Sequence, residues 1–249
     1  MNPSLSDWLA LLERRHPRAI DLGLERCSKV WQAMESPRPA PLVFTVAGTN
    51  GKGSVVAYIS AVLAALGFRQ GTYTSPHLLE FNERVQIDGV AVSDASFTKA
   101  FEHVEQARGE VSLTYFEFTT LAAFSLMQES KLDAAVLEVG LGGRLDTVNL
   151  VDADCAVITP VGLDHQAYLG DSRESIGREK AGIMRPGVPV VCIDRDPPES
   201  TVQHAATIGA PLWLLDRDFE VSGDSDSICL NIGDDSHDIP LPAMHGAHQ

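Results

Sequence analysis

The sequence predicts an α/β protein built on a doubly wound, mostly parallel sheet, and three observations lead to this fold class. Continuous apolar runs, typical of strands buried on both faces, alternate with segments of helical periodicity. A glycine-rich segment at 48–54 separates the first of these strands from a helix. Residues 217–241 change to short period-two segments divided by Gly and Asp, which predicts a small antiparallel β meander near the C-terminus.

The predicted elements alternate in the order that a parallel sheet requires. Helices are predicted at 6–15, 23–35, 54–66, 94–107, 117–130, 171–184 and 198–208, and strands at 42–47, 69–75, 133–140, 154–162, 188–193 and 211–216. Asp88 and Gly89 inside an alternating segment predict a β-hairpin, and the D-x-x-E pattern of Asp171 and Glu174 predicts a helix start. The expected parts are N-terminal helices and a linker (1–41), an α/β core with the phosphate loop (42–216) and a small β subdomain (217–241).

Composition and charge narrow the function classes. The chain has 249 residues, of which 44% are hydrophobic and 21% charged, as in ordinary globular proteins. Its net charge of −15 argues against nucleic-acid or membrane-surface partners, because phosphate groups would be repelled. No apolar run approaches a membrane span and no signal peptide is visible, so we expect a cytoplasmic protein with four free cysteines and a monomeric state.

The segment G-T-N-G-K-G-S at 48–54 has the context of a phosphate loop, with a strand before it and a helix after it. Backbone N–H groups at its glycines and the positive end of the helix favour phosphate oxygens. Lys52 can reach the β- and γ-phosphates, and the Ser54 hydroxyl can ligate Mg²⁺. The alternative is a tight turn with an exposed lysine. We predict ATP contacts at Thr49, Asn50, Gly51, Lys52, Gly53 and Ser54.

Three further residues follow or lie near predicted strand ends, where ligands of doubly wound sheets bind. Glu138 ends a buried strand before a glycine-rich turn, and its carboxylate suits Mg²⁺ unless it serves as a helix cap or an ion-pair partner. His165 follows the next core strand and is either a ligand or a structural hydrogen-bonding group. Lys180, by its pattern alone, is a surface lysine on an amphipathic helix.

The spacing G-T-x-G-K-G-[ST] resembles the loop of the ATP-dependent Mur ligase superfamily. Longer segments resemble the bacterial bifunctional folylpolyglutamate synthase/dihydrofolate synthase family. These segments are IDLGLERCSKV, TSPHLLEFNERVQIDG, LTYFEFTTLAAF, LEVGLGGRLDTVN, LDHQAYLG and REKAGIM, in order over residues 20–184. The resemblance implies an ATP-dependent carboxylate–amine ligase that acts on dihydropteroate and reduced folates with L-glutamate.

The same resemblance implies two Mg²⁺ sites and a set of catalytic residues. It implies that Glu138 and His165 ligate magnesium, with hydroxyl groups from Ser54 and Ser75. The lysine that matches Lys180 is carboxylated by CO₂ in the family and helps to hold a second metal ion. That reaction needs a neutral amine, which burial or a nearby positive charge would provide by lowering the lysine pKa. The implied catalytic residues are Lys52, His165 and Lys180.

Contacts to a pterin or pteroate group are also implied by the resemblance. They fall at Leu22, Gly23, Leu24, Thr114, Tyr115, Phe116, Glu117, Leu145, Asp146 and Thr147. The Glu117 carboxylate is suited to accept hydrogen bonds from pterin N–H groups, and Phe81 is expected to offer a stacking surface on a loop over 75–85. The family usually has L-D-A-T-N where this chain has L-D-T-V-N, so the threonine has moved by one position to Thr147.

The implied reaction begins with phosphorylation of the substrate carboxylate by ATP, which gives an acyl phosphate that the amine of L-glutamate attacks. In the family a C-terminal domain adds contacts to adenine, ribose and glutamate. The terminal HGAHQ resembles the start of the motif that leads into that domain. We therefore expect this chain, without that domain, to bind its ligands weakly and to turn over poorly by itself.

Three rival functions remain open at the level of sequence. The first is another Mur-superfamily ligase with a different acceptor, such as a nucleotide-linked peptide. The second is a phosphate-loop kinase acting on a small hydroxyl substrate, which would need no amine and would leave a stable phosphoester. The third is a non-catalytic, ATP-gated binding module.

Overall fold

The computed structural model describes residues 3–35, 38–223 and 227–239. The helices are α1 (Leu5–Arg15), α2 (Glu25–Ala33), α3 (Lys52–Ala65), α4 (Asp94–Arg108), α5 (Tyr115–Glu129), α6 (Gln166–Leu169), α7 (Arg173–Ala181) and α8 (Glu199–Ile208). The strands are β1 (Leu42–Ala47), β2 (Gln70–Tyr73), β3 (Val85–Ile87), β4 (Val90–Ala91), β5 (Ala134–Glu138), β6 (Cys155–Ile158), β7 (Val190–Cys192), β8 (Leu212–Leu214), β9 (Phe219–Gly223), β10 (Ile228–Ile232) and β11 (Asp235–Ile239). Short 3-10 helices span Phe81–Arg84 and Thr147–Leu150.

Eight strands form one sheet in the order β4-β3-β2-β5-β1-β6-β7-β8. The six strands from β2 to β8 in that order run parallel, while β3 and β4 add an antiparallel edge through the predicted hairpin. Strand β1 is central and pairs with β5 on one side and β6 on the other. The carboxyl ends of β1, β5 and β6 therefore lie side by side at one edge of the sheet, where a doubly wound fold binds ligands.

Side chains from the two faces of the central strands belong to two separate apolar clusters. In β5, Ala135 and Leu137 join the larger cluster with α1, α2, α4 and α5, whereas Ala134 and Val136 join a smaller cluster with α3. Alternate residues of a strand point to opposite faces, so this division shows helices packed on both faces of the sheet. The predicted doubly wound fold is confirmed.

The remaining strands, β9, β10 and β11, form a separate three-stranded antiparallel sheet, as predicted for the meander. The predicted HGAHQ motif lies outside the described residues. Within the part of the chain that the structure describes, no helix combines the length and apolar character needed to cross a membrane.

Two predicted helix starts were displaced by capping interactions. Helix α7 begins at Arg173 rather than Asp171, because the Ser172 hydroxyl accepts the N–H of Ser175 and ends the preceding loop. Helix α5 begins at Tyr115 rather than at 117, because Thr114 and Glu117 form a reciprocal capping box. The T-x-x-E pattern that encodes this box is visible in the sequence.

Candidate active site at the carboxyl edge of the sheet

The phosphate-loop segment connects β1 directly to α3, as predicted. Gly51 precedes the first residue of α3 and has a φ of 83°, a conformation that glycine adopts without strain. Gly48 packs against the end of β6, where a Cβ at this position would lie 1.7 Å from the Thr159 Oγ1 atom. Residue 48 therefore has to be glycine for the loop to approach β6 this closely.

Two lysines converge on the phosphate loop. The Nζ atom of Lys180 donates a hydrogen bond to the Gly48 carbonyl oxygen at 2.8 Å, and Lys52 Nζ donates to the same oxygen at 3.2 Å. Lys180 is only 4% exposed. Burial and, secondarily, the charge of Lys52 lower the pKa of Lys180 to about 8. The interpretation of Lys180 as a surface lysine is therefore wrong, because α7 turns this side chain into the crevice.

Glu138 lies beside the phosphate loop at the end of β5. Its Oε2 atom accepts the backbone N–H of Ser75 at 3.1 Å and lies 3.9 Å from the ideal Cβ position of Gly53. Burial raises the pKa of this carboxyl, whereas the Ser75 hydrogen bond and the charge of Lys52 lower it in part. The structure thus brings Glu138, the Ser75 backbone and the start of α3 together at the phosphate loop.

His165 follows β6 and precedes α6, with a left-handed φ of 50°. Its ring is half exposed, and Nε2 lies 3.7 Å from Asp164 Oδ2. With Lys52 and Lys180, this histidine lines a small cavity of about 30 Å³ next to the phosphate loop. The predicted catalytic residues Lys52, His165 and Lys180 are thus neighbours in the structure.

A second cavity, of about 280 Å³, opens on the other side of His165. Its wall is mostly apolar and comes from several segments that are far apart along the chain. The predicted pterin-contact residues that line it are Leu22, Gly23, Thr114, Tyr115, Phe116, Glu117, Leu145, Asp146 and Thr147, and Ser75 lies there as well. Leu24 is not among the lining residues, because it precedes α2 and packs against the apolar core.

Phe81 does not occupy the position that a stacking surface requires. Its side chain is 6% exposed, and its ring centroid lies 4.7 Å from that of Phe97 in an edge-on arrangement within the core. Phe81 is not among the residues that line the cavity. The segment predicted as a loop over 75–85 folds its end into a 3-10 helix, and this turns the ring inward. Its role here is packing.

The two buried carboxylates of the cavity wall differ in their surroundings. Glu117 uses Oε2 to accept the Thr114 backbone N–H at 2.7 Å and Oε1 to accept Arg26 Nη2 at 2.9 Å. Asp146 accepts only backbone N–H groups, including those of Leu141 and Val148, each within 2.9 Å. Burial raises the pKa of Asp146 to about 6 despite these hydrogen bonds. The Glu117 carboxylate thus has a capping and ion-pairing role that the sequence interpretation did not include.

The structure shows where the side chains at positions 147 and 148 of the L-D-T-V-N segment lie. Thr147 lines the cavity, whereas Val148 is completely buried in the larger apolar cluster. A hydroxyl group at position 147 therefore lies at the cavity wall, and one at position 148 would lie in the core. Asn149 ties this segment to the end of α7 by donating to the carbonyl oxygens of Arg144 and Gly182, both at 3.0 Å.

The side chains near the phosphate loop determine whether a divalent metal ion fits there. Among the described residues, no three His, Cys, Asp or Glu side chains form a cluster that could hold a metal by themselves. The Glu138 carboxylate and the Ser75 backbone do lie together at the phosphate loop, and Ser54 stands in the first turn of α3. This arrangement suits Mg²⁺, which usually binds through one or two carboxylates together with substrate phosphates and water.

Comparison with known proteins agrees with this geometry. A family model described as the Mur ligase middle domain matches residues 46–210. The chain belongs to the Mur ligase family. The dihydrofolate synthase/folylpolyglutamate synthase of Escherichia coli is 49% identical over 241 residues, which cover 96% of this chain and 57% of the relative. The chain thus spans little more than half the length of this relative.

Solved structures of such ligases also align closely with this Mur ligase domain. E. coli FolC in complex with DHPP and ADP has a TM-score of 0.94 at 44% identity, and the match covers 96% of this chain and 58% of that one. A bifunctional folylpolyglutamate synthase/dihydrofolate synthase with Mn, AMPPNP and L-glutamate bound has a TM-score of 0.89 at 46% identity, covering 95% and 58%. These likenesses confirm the predicted family and fold.

Two charged residues at the site of this Mur ligase domain were not predicted from the sequence. Arg84 lines the large cavity and is buried, with its guanidinium carbon 5.6 Å from the Phe81 ring centroid and 5.8 Å from that of Tyr115. Asp21 also lines the cavity and pairs with Arg26 at 2.9 Å. Both stand within the quoted motifs, but nothing in their spacing distinguishes them from surface charges.

Proposed function

We propose that this chain provides the nucleotide site and the pterin site of an ATP-dependent ligase that joins L-glutamate to dihydropteroate and to reduced folates. One observation carries the proposal: the small cavity at the phosphate loop and the large apolar cavity share Gly140, Leu141 and His165 as wall residues. A carboxylate held at the mouth of the apolar cavity would therefore lie next to the nucleotide phosphates. The bound DHPP, ADP and L-glutamate in solved relatives support the same choice of ligands.

In this proposal the apolar cavity holds the flat pterin and its aromatic extension. Asp146 is buried and surrounded by backbone N–H donors, and it is suited to accept hydrogen bonds from pterin N–H groups or to share a proton with them. Thr147 adds a hydroxyl group at the cavity wall. The cavity excludes water from most of the ring, which leaves the substrate carboxylate directed to His165.

At the phosphate side, two like-charged groups have to approach each other, the substrate carboxylate and the nucleotide phosphate. Lys52 lies close enough to offset this repulsion, and the N-terminus of α3 adds its partial positive charge. Mg²⁺ held by Ser54, Ser75 and Glu138 would neutralise phosphate oxygens at the same place. Catalysis then depends on positioning and charge, with no covalent enzyme intermediate.

Lys180 and His165 would hold a second metal ion once the lysine has reacted with CO₂. The lowered pKa of Lys180 leaves part of the amine neutral near physiological pH, and only the neutral amine reacts with CO₂. The product is a carbamate anion, which is a hard oxygen ligand. A mass increase of one CO₂ on this residue would test the modification directly.

We further propose that adenine and glutamate contacts come from residues beyond this chain, since the chain matches only 57% of the E. coli relative. The test measures phosphate release with Mg-ATP and dihydropteroate, with and without L-glutamate, for this chain and for the protein continued past residue 249. We expect glutamate-dependent release and a product heavier by one glutamyl unit from the longer protein, and little turnover from this chain. A stable phosphoester formed without an amine would instead establish a kinase.

A further inference from the structure

Beyond the phosphate loop, a polar cluster lies behind the loop that follows β6. It consists of Arg173 at the start of α7 and of Asp194 and Asp196, which follow β7. Asp194 is 6% exposed although it carries a carboxylate, and neither aspartate was a predicted site residue. We propose that Arg173 and Asp194 are positioning residues that hold the 160–165 loop, and with it His165, against the phosphate loop.

The first step of the argument is that both backbone polar groups of Val161 are held. Asp194 Oδ2 accepts the Val161 N–H at 2.8 Å, and Arg173 Nε donates to the Val161 carbonyl oxygen at 2.8 Å. Arg173 Nη2 also donates to the same Asp194 oxygen at 3.1 Å, which closes a ring of three hydrogen bonds. Charge-assisted hydrogen bonds of this kind, with a buried carboxylate, restrict the backbone more than neutral contacts do.

Asp196 adds to the cluster on its solvent-exposed side. Its backbone N–H donates to Asp194 Oδ1 at 3.1 Å, and its carboxylate accepts Arg173 Nη1 at 2.7 Å. The Asp196 side chain is 90% exposed, so this outer pair contributes little by itself. The energetically important pair is the inner one between Arg173 and Asp194.

The second step connects Val161 to the phosphate loop through its neighbours. The backbone N–H of Thr49 donates to the Pro160 carbonyl oxygen at 3.0 Å. The Thr49 hydroxyl accepts the Gly162 N–H at 2.9 Å and lies 3.2 Å from the Gly162 carbonyl oxygen, to which it donates. The residues on either side of Val161 thus contact Thr49, and an anchored Val161 fixes the distance between the β6 loop and the phosphate loop.

The third step concerns α7, which carries both Arg173 and Lys180. Lys180 contacts the carbonyl oxygen of Gly48, the residue before Thr49. One helix therefore holds the phosphate loop directly through Lys180 and the β6 loop through Arg173. Loss of the Arg173 contact would leave His165 free to move relative to Lys52 and Lys180. Supporting residues of this kind change metal or ligand affinity by about 10- to 100-fold when they are removed.

The inference rests on the proposed function, so its test combines one readout that depends on that function with one that does not. The variants are Arg173→Gln, Asp194→Asn and the double variant. The matched control is Arg195→Gln, since Arg195 lies in the same segment but pairs with Asp216 at the surface. Amide hydrogen exchange reports the 160–165 loop in the 249-residue chain without any ligand, and calorimetry reports MgADP and dihydropteroate binding.

We expect faster exchange in residues 161–165 and MgADP affinity lowered by about 10- to 100-fold in both single variants. Dihydropteroate affinity should fall by less, because His165 is only one of the many residues that line the apolar cavity. Because the two residues act as one unit, the double variant should lose no more than either single variant. The Arg195→Gln control should match the original chain. The conservative Arg173→Lys variant keeps the charge and should recover part of the MgADP affinity.

Three results would overturn the inference. The first is MgADP affinity in Arg173→Gln and Asp194→Asn equal to that of the control. The second is an equal loss of affinity for both ligands together with a lower melting temperature, which would indicate a general structural role. The third is unchanged exchange in residues 161–165, which by itself would rule out the positioning role. Absence of MgADP binding by the protein continued past residue 249 would count against the proposed function instead.

Discussion

The two cavities at the carboxyl edge of the sheet are built by different physical means. The large one is a gap of about 280 Å³ between mostly apolar side chains, and its wall includes the 19–23 segment before α2, the start of α5 and the 140–147 segment. The small one, of about 30 Å³, is formed by backbone groups of the phosphate loop and by two lysines that share the Gly48 carbonyl oxygen. The large cavity therefore favours a ligand by its shape, and the small cavity favours a ligand by its charge.

This difference indicates how each cavity should respond to substitution. The phosphate side depends on backbone geometry and on cations at close range, so single changes there should have large effects. The apolar side distributes its contacts over many residues, so single changes should alter affinity gradually. Four predictions test this comparison, from the largest expected effect to the smallest.

Gly48→Ala should have the largest effect, because the added Cβ would meet Thr159 Oγ1 at 1.7 Å. The two strand ends would have to separate, and we expect the free energy of unfolding to fall by about 3 kcal/mol. Urea denaturation gives this value. Gly53→Ala is the matched control, since its Cβ would meet only Glu138 Oε2, at 3.9 Å. Equal stability of the two variants would show that the loop is not constrained by β6.

Lys52→Met should lower MgADP affinity by roughly 10- to 100-fold, the loss expected for a hydrogen bond to a charged group. Calorimetric titration measures this change. Lys29→Met removes an exposed lysine on α2 and serves as the control for the general effect of lost charge. If both variants bind MgADP equally well, the phosphate side does not depend on this cation.

Lys180 provides a pH-dependent test in metal-free, CO₂-free buffer. The pKa of Lys180 is about 8 in the folded chain and 10.5 in the unfolded chain. Between these two pH values the unfolded state binds more protons than the folded state, so the free energy of unfolding rises with pH. From pH 7 to 9.5 the free energy of unfolding should increase by about 2 kcal/mol relative to Lys180→Met. If the free energy of unfolding of both proteins changes with pH in parallel, the lowered pKa of a buried Lys180 is contradicted. In Lys52→Met the rise should begin at a higher pH, because the charge of Lys52 lowers the pKa of Lys180.

The smallest effects are expected in the L-D-T-V-N segment of the apolar cavity. Val148→Thr places a hydroxyl in the core and should cost about 1–2 kcal/mol of stability with little change at the cavity. Thr147→Ala should keep stability and weaken dihydropteroate binding by a few-fold, since this side chain lines the cavity. Thermal unfolding and ligand titration separate the two outcomes. The reverse pattern would exchange the roles assigned to the two positions.

Most of the backbone was predictable because it is encoded locally. The apolar run 42–47, the glycines of 48–54 and the helix after them predicted the phosphate loop, and alternating elements predicted the sheet. The helix starts at 115 and 173 differed from the prediction because a single capping side chain determines where a helix begins. Strand ends also predicted correctly that Glu138 and His165 lie at one edge of the sheet.

The sequence by itself determined the order of elements, the phosphate loop and the residue types at the edge of the sheet, because these depend on periodicity and on neighbours along the chain. Only the tertiary structure decided which side chains meet. Lys180 contacts Gly48 across 132 positions, Phe81 turns into the core, and Arg173 and Asp194 hold a loop that neither belongs to. Such contacts depend on how helices pack against the sheet, and that packing brings together residues whose local patterns carry no sign of one another.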